Sequence, residues 1–305
     1  MILQTDGETT LQPHPGGCIE CKILKYYQPS TLSCVMEVEI DTSSSQRRHF
    51  VLKSYDHRFA TQLRKDEKVE PFSPVHESAY WDYVKSGGAS KFLAWLYDDE
   101  SLAGEEFKQP WDKGQDEIHL YATCLDMYES ECTIYDRLKD LQGNNIPRFF
   151  ARVRLPLASP PLTDTLPAEF CAIKGILLEL IDGFTLSEMI DQAPKEAWQG
   201  ICDQAIRVIE ACNDHEILNE DVRPSNVMVT RLQPDDAYRV VVLDFAQCRL
   251  REPEESIEEW GRAKWTQDEV GAIGAVMKHR LEKIGFELSH TCSLRYLEWA
   301  SHEDD

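Results

Sequence analysis

The sequence predicts an α+β protein in which a small antiparallel sheet precedes a mostly helical part. Three observations carry this. Strand-like segments open the chain, one long helical pattern follows, and two further strands lead into a second half dominated by helical periodicity. At 305 residues the chain can bury a core large enough for two lobes or one big domain, and no internal repeat is visible.

Taken in order, residues 1–17 form a leader containing Pro and Gly. "CIECKILKYY" and "LSCVMEVEID" then read as two strands with a turn around "QPSTL", and "RRHFVLKSYD" reads as a third. Residues 54–120 are polar, rich in Trp and Tyr and interrupted by "SGG" and "DKG", which suggests an inserted cap of short helices. "LYATCLDMYESECTIYDRLKDLQ" carries apolar residues at helical spacing and stops at Gly143. "PRFFARVRL" and "AIKGILLELIDG" are two more strands, while "FTLSEMI" and "EAWQGICDQAIRVIEACNDHEI" are helices. A hairpin runs from "NVMVTRL" through "PDDA" to "YRVVVLDFA", and "TQDEVGAIGAVMKHRLEKI" is one last amphipathic helix. The expected division is a sheet lobe over residues 18–178, cap included, and a shortened helical lobe over 179–305.

Composition narrows the function classes. The longest apolar stretches are far shorter than a membrane span, and the N-terminus lacks a basic region followed by an apolar run. A cytosolic protein is expected, with a nuclear location also open. Ten cysteines show no framework spacing and read as reduced core residues; the lone Cys18-x-x-Cys21 lacks a second pair. A formal net charge of -22 repels nucleic acid and anionic membranes, so an anionic ligand needs a local cluster of positive groups.

One loop carries chemistry. "DVRPSN" sets Asp221 and Asn226 five residues apart between two apolar runs, "VVVLDFA" puts Asp244 at the end of a strand, and "FVLK" puts Lys53 at the end of another. In this order the three motifs resemble those of the protein-kinase-like superfamily, and the chain looks like the kinase-like proteins frequent in filamentous fungi. The resemblance covers roughly residues 18–285, with the insertion outside it. It implies a two-lobed fold and a phosphotransferase that uses ATP and Mg²⁺ on a small-molecule acceptor.

The roles then follow residue by residue. Asp244 and Asn226 would supply hard oxygen ligands to magnesium. Asp221 would orient or deprotonate the acceptor hydroxyl, and Arg223 could give two parallel hydrogen bonds to phosphate oxygens. Lys53 would face the phosphates. Its expected acidic partner is Glu131 rather than Glu129, because Glu131 precedes Tyr135 and Leu138 by four and seven residues on one inward helix face. The carbonyl of Glu179 and the amide of Ile181 would meet adenine, with an ordinary strand and turn as the alternative. His215 reads as a structural histidine.

The chain also departs from the family pattern. "KYYQPSTLSC" has no glycine to build a phosphate cradle, and the usual His-Arg before the catalytic Asp is Asn219-Glu220. Asp-Phe-Gly has become Asp244-Phe245-Ala246, which predicts a fixed backbone there. Only 59 residues follow Ala246, too few for a peptide-docking platform. Two other readings therefore stay open. One is a kinase fold turned to tRNA-dependent transfer, as in the fungal arginine-containing cyclodipeptide synthases, with Arg47-Arg48 as the basic patch. The other is a non-catalytic pseudokinase that binds a partner through Trp81, Trp95, Tyr97 and Trp111 of the cap.

Overall fold

Leu3 is completely buried between the exposed Ile2 and Gln4, and that alternation decides how the N-terminal sheet closes. The computed structural model describes residues 1–6, 18–41, 47–97, 110–157, 166–234 and 237–300. Strand β1 (Ile2–Asp6) pairs antiparallel with β2 (Cys18–Tyr27) on one side and with β5 (Phe149–Pro156) on the other. With β3 (Cys34–Asp41), β4 (Arg47–Tyr55) and β6 (Ala172–Glu179) these strands form a closed barrel in the order β1-β2-β3-β4-β6-β5.

Two expectations are corrected here. The leader over 1–17 is no simple leader, because its first residues are a barrel strand; residues 7–17 lie outside the described residues. The expected small antiparallel sheet closes into a barrel, since β1 covers the edges that β2 and β5 would otherwise leave unpaired. Inward-facing Leu3, Ile19, Met36, Val38, Phe50 and Leu52 belong to its core. Burial alternates strictly along β3, as one packed and one outer face require.

Residues 54–120 do contain short helices: α1 (Thr61–Asp66), α2 (Pro74–Lys85) and α3 (Gly88–Tyr97). Tyr80, Trp81 and Phe92 pack there against Ile118, Tyr121 and Phe170. Trp95 and Trp111 stand 5.5 and 5.3 Å from the Phe92 ring, so the cap tryptophans are packing residues. Tyr97 is exposed and donates to Asp126 at 2.7 Å. Beside this core lies a buried polar knot. Arg64 donates to both Glu117 oxygens, at 3.0 and 2.5 Å, and the His57 ring stacks 5.0 Å from Tyr80 with Nε2 3.7 Å from Glu117.

Helix α4 (Lys113–Arg137) begins earlier than predicted and ends through a 3-10 turn (Lys139–Leu141) before Gly143, whose φ of +79° explains the stop. The chain divides into two compact units, Met1–Glu129 with Phe149–Leu180, and Ser130–Arg148 with Ile181–Asp305. Residues 130–148 thus leave the expected sheet lobe. The reason is visible in their bonds: Ser130 donates to the Cys248 carbonyl, Glu131 accepts from Phe245 N–H, and Asn145 accepts from Val242 N–H.

In the second unit β7 (Phe184–Thr185) starts where a helix was expected, because Phe184 and Thr185 pair with Val229 and Met228; the helical part follows as a 3-10 turn (Leu186–Glu188) that leads into α5 (Met189–Gln192). Helix α6 (Trp198–Asn213) follows, then β8 (Ile217–Asn219), β9 (Val227–Leu232), β10 (Ala237–Val242) and β11 (Cys248–Leu250). β10, β9 and β7 make one sheet, and β11 pairs with β8. The predicted last helix is α8 (Glu269–Glu282); before it stands a helix that was not predicted, α7 (Ile257–Gln267), and the two are separated at Asp268 with φ 39°. Among the described residues no helix is long and apolar enough to cross a membrane.

Candidate functional site

The loop between β8 and β9 is shaped by its own side chains. Asn219 accepts from Asp221 N–H at 2.9 Å, and Pro224 opens a 3-10 turn (Pro224–Asn226) that folds Asn226 back toward Asp221. Asn226 Nδ2 then donates to the Asp221 carbonyl at 3.0 Å and to its Oδ2 at 2.9 Å. Arg223 Nη2 lies 3.0 Å from the same Oδ2, and its Nε donates to Asn226 Oδ1 at 3.3 Å. The spacing of five residues is what lets one short turn gather a carboxylate, an amide and a guanidinium.

Asp244 enters from the next segment. Leu243 N–H donates to the Asn226 carbonyl at 2.8 Å, so the end of the β10 segment is tied to the loop one residue before Asp244. Asp244 itself has φ 64°, a left-handed conformation uncommon outside glycine but tolerated by Asp. Phe245 N–H donates to Glu131 Oε1 at 3.3 Å, and the Phe245 ring meets Tyr135 edge-on at 5.4 Å. Ala246 is buried and its N–H points to Asp244 Oδ1 at 3.4 Å. Asp221, Arg223, Asn226, Asp244 and Glu131 are therefore all set within one compact unit.

The choice of Glu131 over Glu129 agrees with burial: Glu131 is fully enclosed with Tyr135 and Leu138, whereas Glu129 is half-exposed, 3.9 Å from Arg152. In the first unit Lys53 is buried on β4, in register with Val35 and Ile176, and its Nζ stands 5.5 Å from the Tyr55 ring. Glu179 ends β6 opposite Phe50. Ile181 is the first residue of the second unit's later segment, so the expected hinge at 179–181 falls on the division of the chain.

One role needs adjustment. The Nε–Nη2 side of Arg223 is turned onto Asn226 and Asp221, so a paired contact with phosphate would have to come from the Nη1–Nη2 side. His215 is structural: Nδ1 lies 2.9 Å from the Ala211 carbonyl and Nε2 3.2 Å from Asp140. None of the ten cysteines is in a disulfide, and burial pushes the Cys21 thiol pKa up, which argues against a thiolate site at Cys18-x-x-Cys21.

Sequence reasoning missed the residues behind the loop. Glu269, at the start of α8, accepts from Asn219 N–H at 2.7 Å. Buried Lys264 donates to Glu269, to Asn213 Oδ1 at 2.9 Å and to the Ile217 carbonyl at 2.7 Å. Burial drives the Lys264 pKa down and the Glu269 pKa up, opposed in both by their mutual attraction. The available signal was Ser256-x-x-Glu259, a capping box that starts α7 and so places Lys264 on a helix. No protein-family model and no curated protein matches this chain.

Proposed function

We propose that the protein is a kinase-fold transferase that moves a phosphoryl group from ATP to a small molecule. The observation that carries this is the hydrogen-bonded cluster of Asp221, Arg223 and Asn226, with Asp244 held next to it through Leu243 and Asn226. Carboxylate and amide oxygens are the donors that magnesium accepts, and Mg²⁺ commonly takes only one or two protein carboxylates beside substrate phosphates. Asp244 and Asn226 would hold the ion, although Asn226 Oδ1 must first exchange its weak contact with Arg223. When bound, the ion neutralises charge on the phosphate oxygens.

The remaining work falls to the chain. Asp221 receives the acceptor hydroxyl and its proton, with its carboxylate fixed by Asn226 and Arg223. Lys53, Glu131, Glu179 and Ile181 keep the nucleotide-related roles that the resemblance implies. The closed barrel is not typical of a kinase-like sheet lobe, and the β2–β3 connection lacks glycine, so the phosphates are covered in another way. The tRNA reading loses ground because Arg47 is bridged to Glu39 and Asp41, and Arg48 lies over the Phe50 and Phe150 rings.

The test is a thermal-shift titration with ATP and Mg²⁺, since a ligand that binds only the folded state raises its stability. The wild type should be stabilised, and Asp244→Asn should weaken the shift without unfolding the protein. An unchanged melting temperature at saturating nucleotide would refute the proposal.

A further inference from the structure

We propose that Lys264 is a positioning residue for Asp221, an inference that rests on the functional reading above for the role of Asp221 but on geometry for the coupling. Lys264 lies in the last turns of α7, and its side chain is fully enclosed. An ammonium has three N–H donors, and all three are directed: one to Asn213 at the end of α6, one to the Ile217 carbonyl, one to Glu269. Glu269 passes the constraint on, because its other oxygen accepts from Asn219 N–H. Asn219 in turn accepts from Asp221 N–H.

The peptide is thereby fixed at Ile217 by the buried cation, at Asn219 by the carboxylate it orients, and at Asp221 by the Asn219 side chain. β8 is only three residues long, and its pairing with β11 supplies few backbone bonds. A strand that short is poorly held by its ladder alone. Lys264 is an expensive way to fill a core, since burying an ammonium is unfavourable unless every donor is satisfied. Its complete set of partners therefore fits a group whose bonds define a conformation.

The surroundings also offer a direct test. Lys264 and Glu269 line a cavity of about 250 Å³ that is bounded by Trp265, Asp268, Arg295 and Tyr296. Truncating Lys264 to alanine would open space from this cavity to the vacated ammonium position. A small alkylammonium could then replace the missing group.

The double variant Lys264→Met/Glu269→Gln removes the charges together and keeps volume, so it avoids the uncompensated buried charge that a single deletion leaves. In it, amide hydrogen exchange at Asn219 and Asp221 should accelerate by about ten-fold or more, the loss expected for charge-assisted hydrogen bonds. Turnover, measured separately, should fall while nucleotide affinity stays. In Lys264→Ala, n-propylammonium should restore slow exchange, and the neutral n-propanol should not.

Unchanged exchange in the double variant overturns the proposal, as does equal rescue by the alcohol. If the wild type turns over no ATP and exchange still accelerates, the positioning role stands and the phosphotransferase reading alone fails.

Discussion

Acidification should destabilise the protein through His57. Its ring is 4% exposed, packed on Tyr80 and close to Phe72 and Tyr121. Desolvation is the largest influence and holds its pKa at about 4, below the ordinary 6.5, while Asp56 and Glu117 pull upward and Arg58 and Arg64 downward. The unfolded chain takes up this proton as pH falls through 6.5, and the folded chain does so only near 4. The stabilisation is thus complete above the unfolded value and is lost as pH falls toward the folded one. A gap of about 2.5 units at 1.36 kcal/mol per unit corresponds to about 3 kcal/mol.

The assay is urea unfolding of the wild type and His57→Phe, followed by tryptophan fluorescence between about pH 7 and about pH 4.5. The phenylalanine keeps the stack on Tyr80 and takes up no proton. Over this range the wild type should lose about 2 to 3 kcal/mol more than the variant. Parallel profiles would refute the reasoning, since they would mean that the ring is solvated or already charged in the folded state.

Three further outcomes are expected. Arg64→Met leaves the Glu117 carboxylate buried and should cost about 3–5 kcal/mol by denaturant unfolding, whereas Arg64→Met/Glu117→Gln should cost much less. Gly183→Ala would drive a methyl group into the Val229 carbonyl, and separating the backbones of β7 and β9 should lower stability by about 1–3 kcal/mol in the same assay. Asp221→Asn keeps an oxygen that can accept from Asn226 and Arg223 but loses the basic carboxylate. ATP turnover should fall by about 10²–10⁴-fold with nucleotide affinity nearly unchanged, and equal turnover would exclude Asp221 as the base.

Strand and helix identity was legible where the pattern was long. β2 appears at the expected residues, and the period of α4 correctly set Glu131 inward. What failed were short elements whose partners are remote in sequence. β1 has five residues and one fully buried side chain, too little for alternation to register, and its pairing with β5 spans more than 140 positions. β7 is two residues inside a helix-like pattern, and pairing with Val229 and Met228 overrides that pattern. Barrel closure belongs to the same class, because it depends on β1 alone.

The site shows the same limit from the other side. Residue types and spacing pointed to Asp221, Asn226 and Asp244, because a five-residue interval on a loop and an acid at a strand end are local features. Local pattern also suggested that alanine at position 246 would restrict the backbone, but it did not reveal where the turn's strain would fall. Asp244 takes the left-handed conformation, so the residue proposed to present a carboxylate is also the one that redirects the chain. Its neighbours make that conformation workable: Leu243 and Phe245 on either side donate their N–H groups to Asn226 and Glu131. A glycine at position 244 would adopt the same φ at less cost but would carry no oxygen ligand. Under the proposed function the strain follows from placing a carboxylate at that turn, and its support comes from residues on α4 and the β8–β9 loop that no local pattern connects.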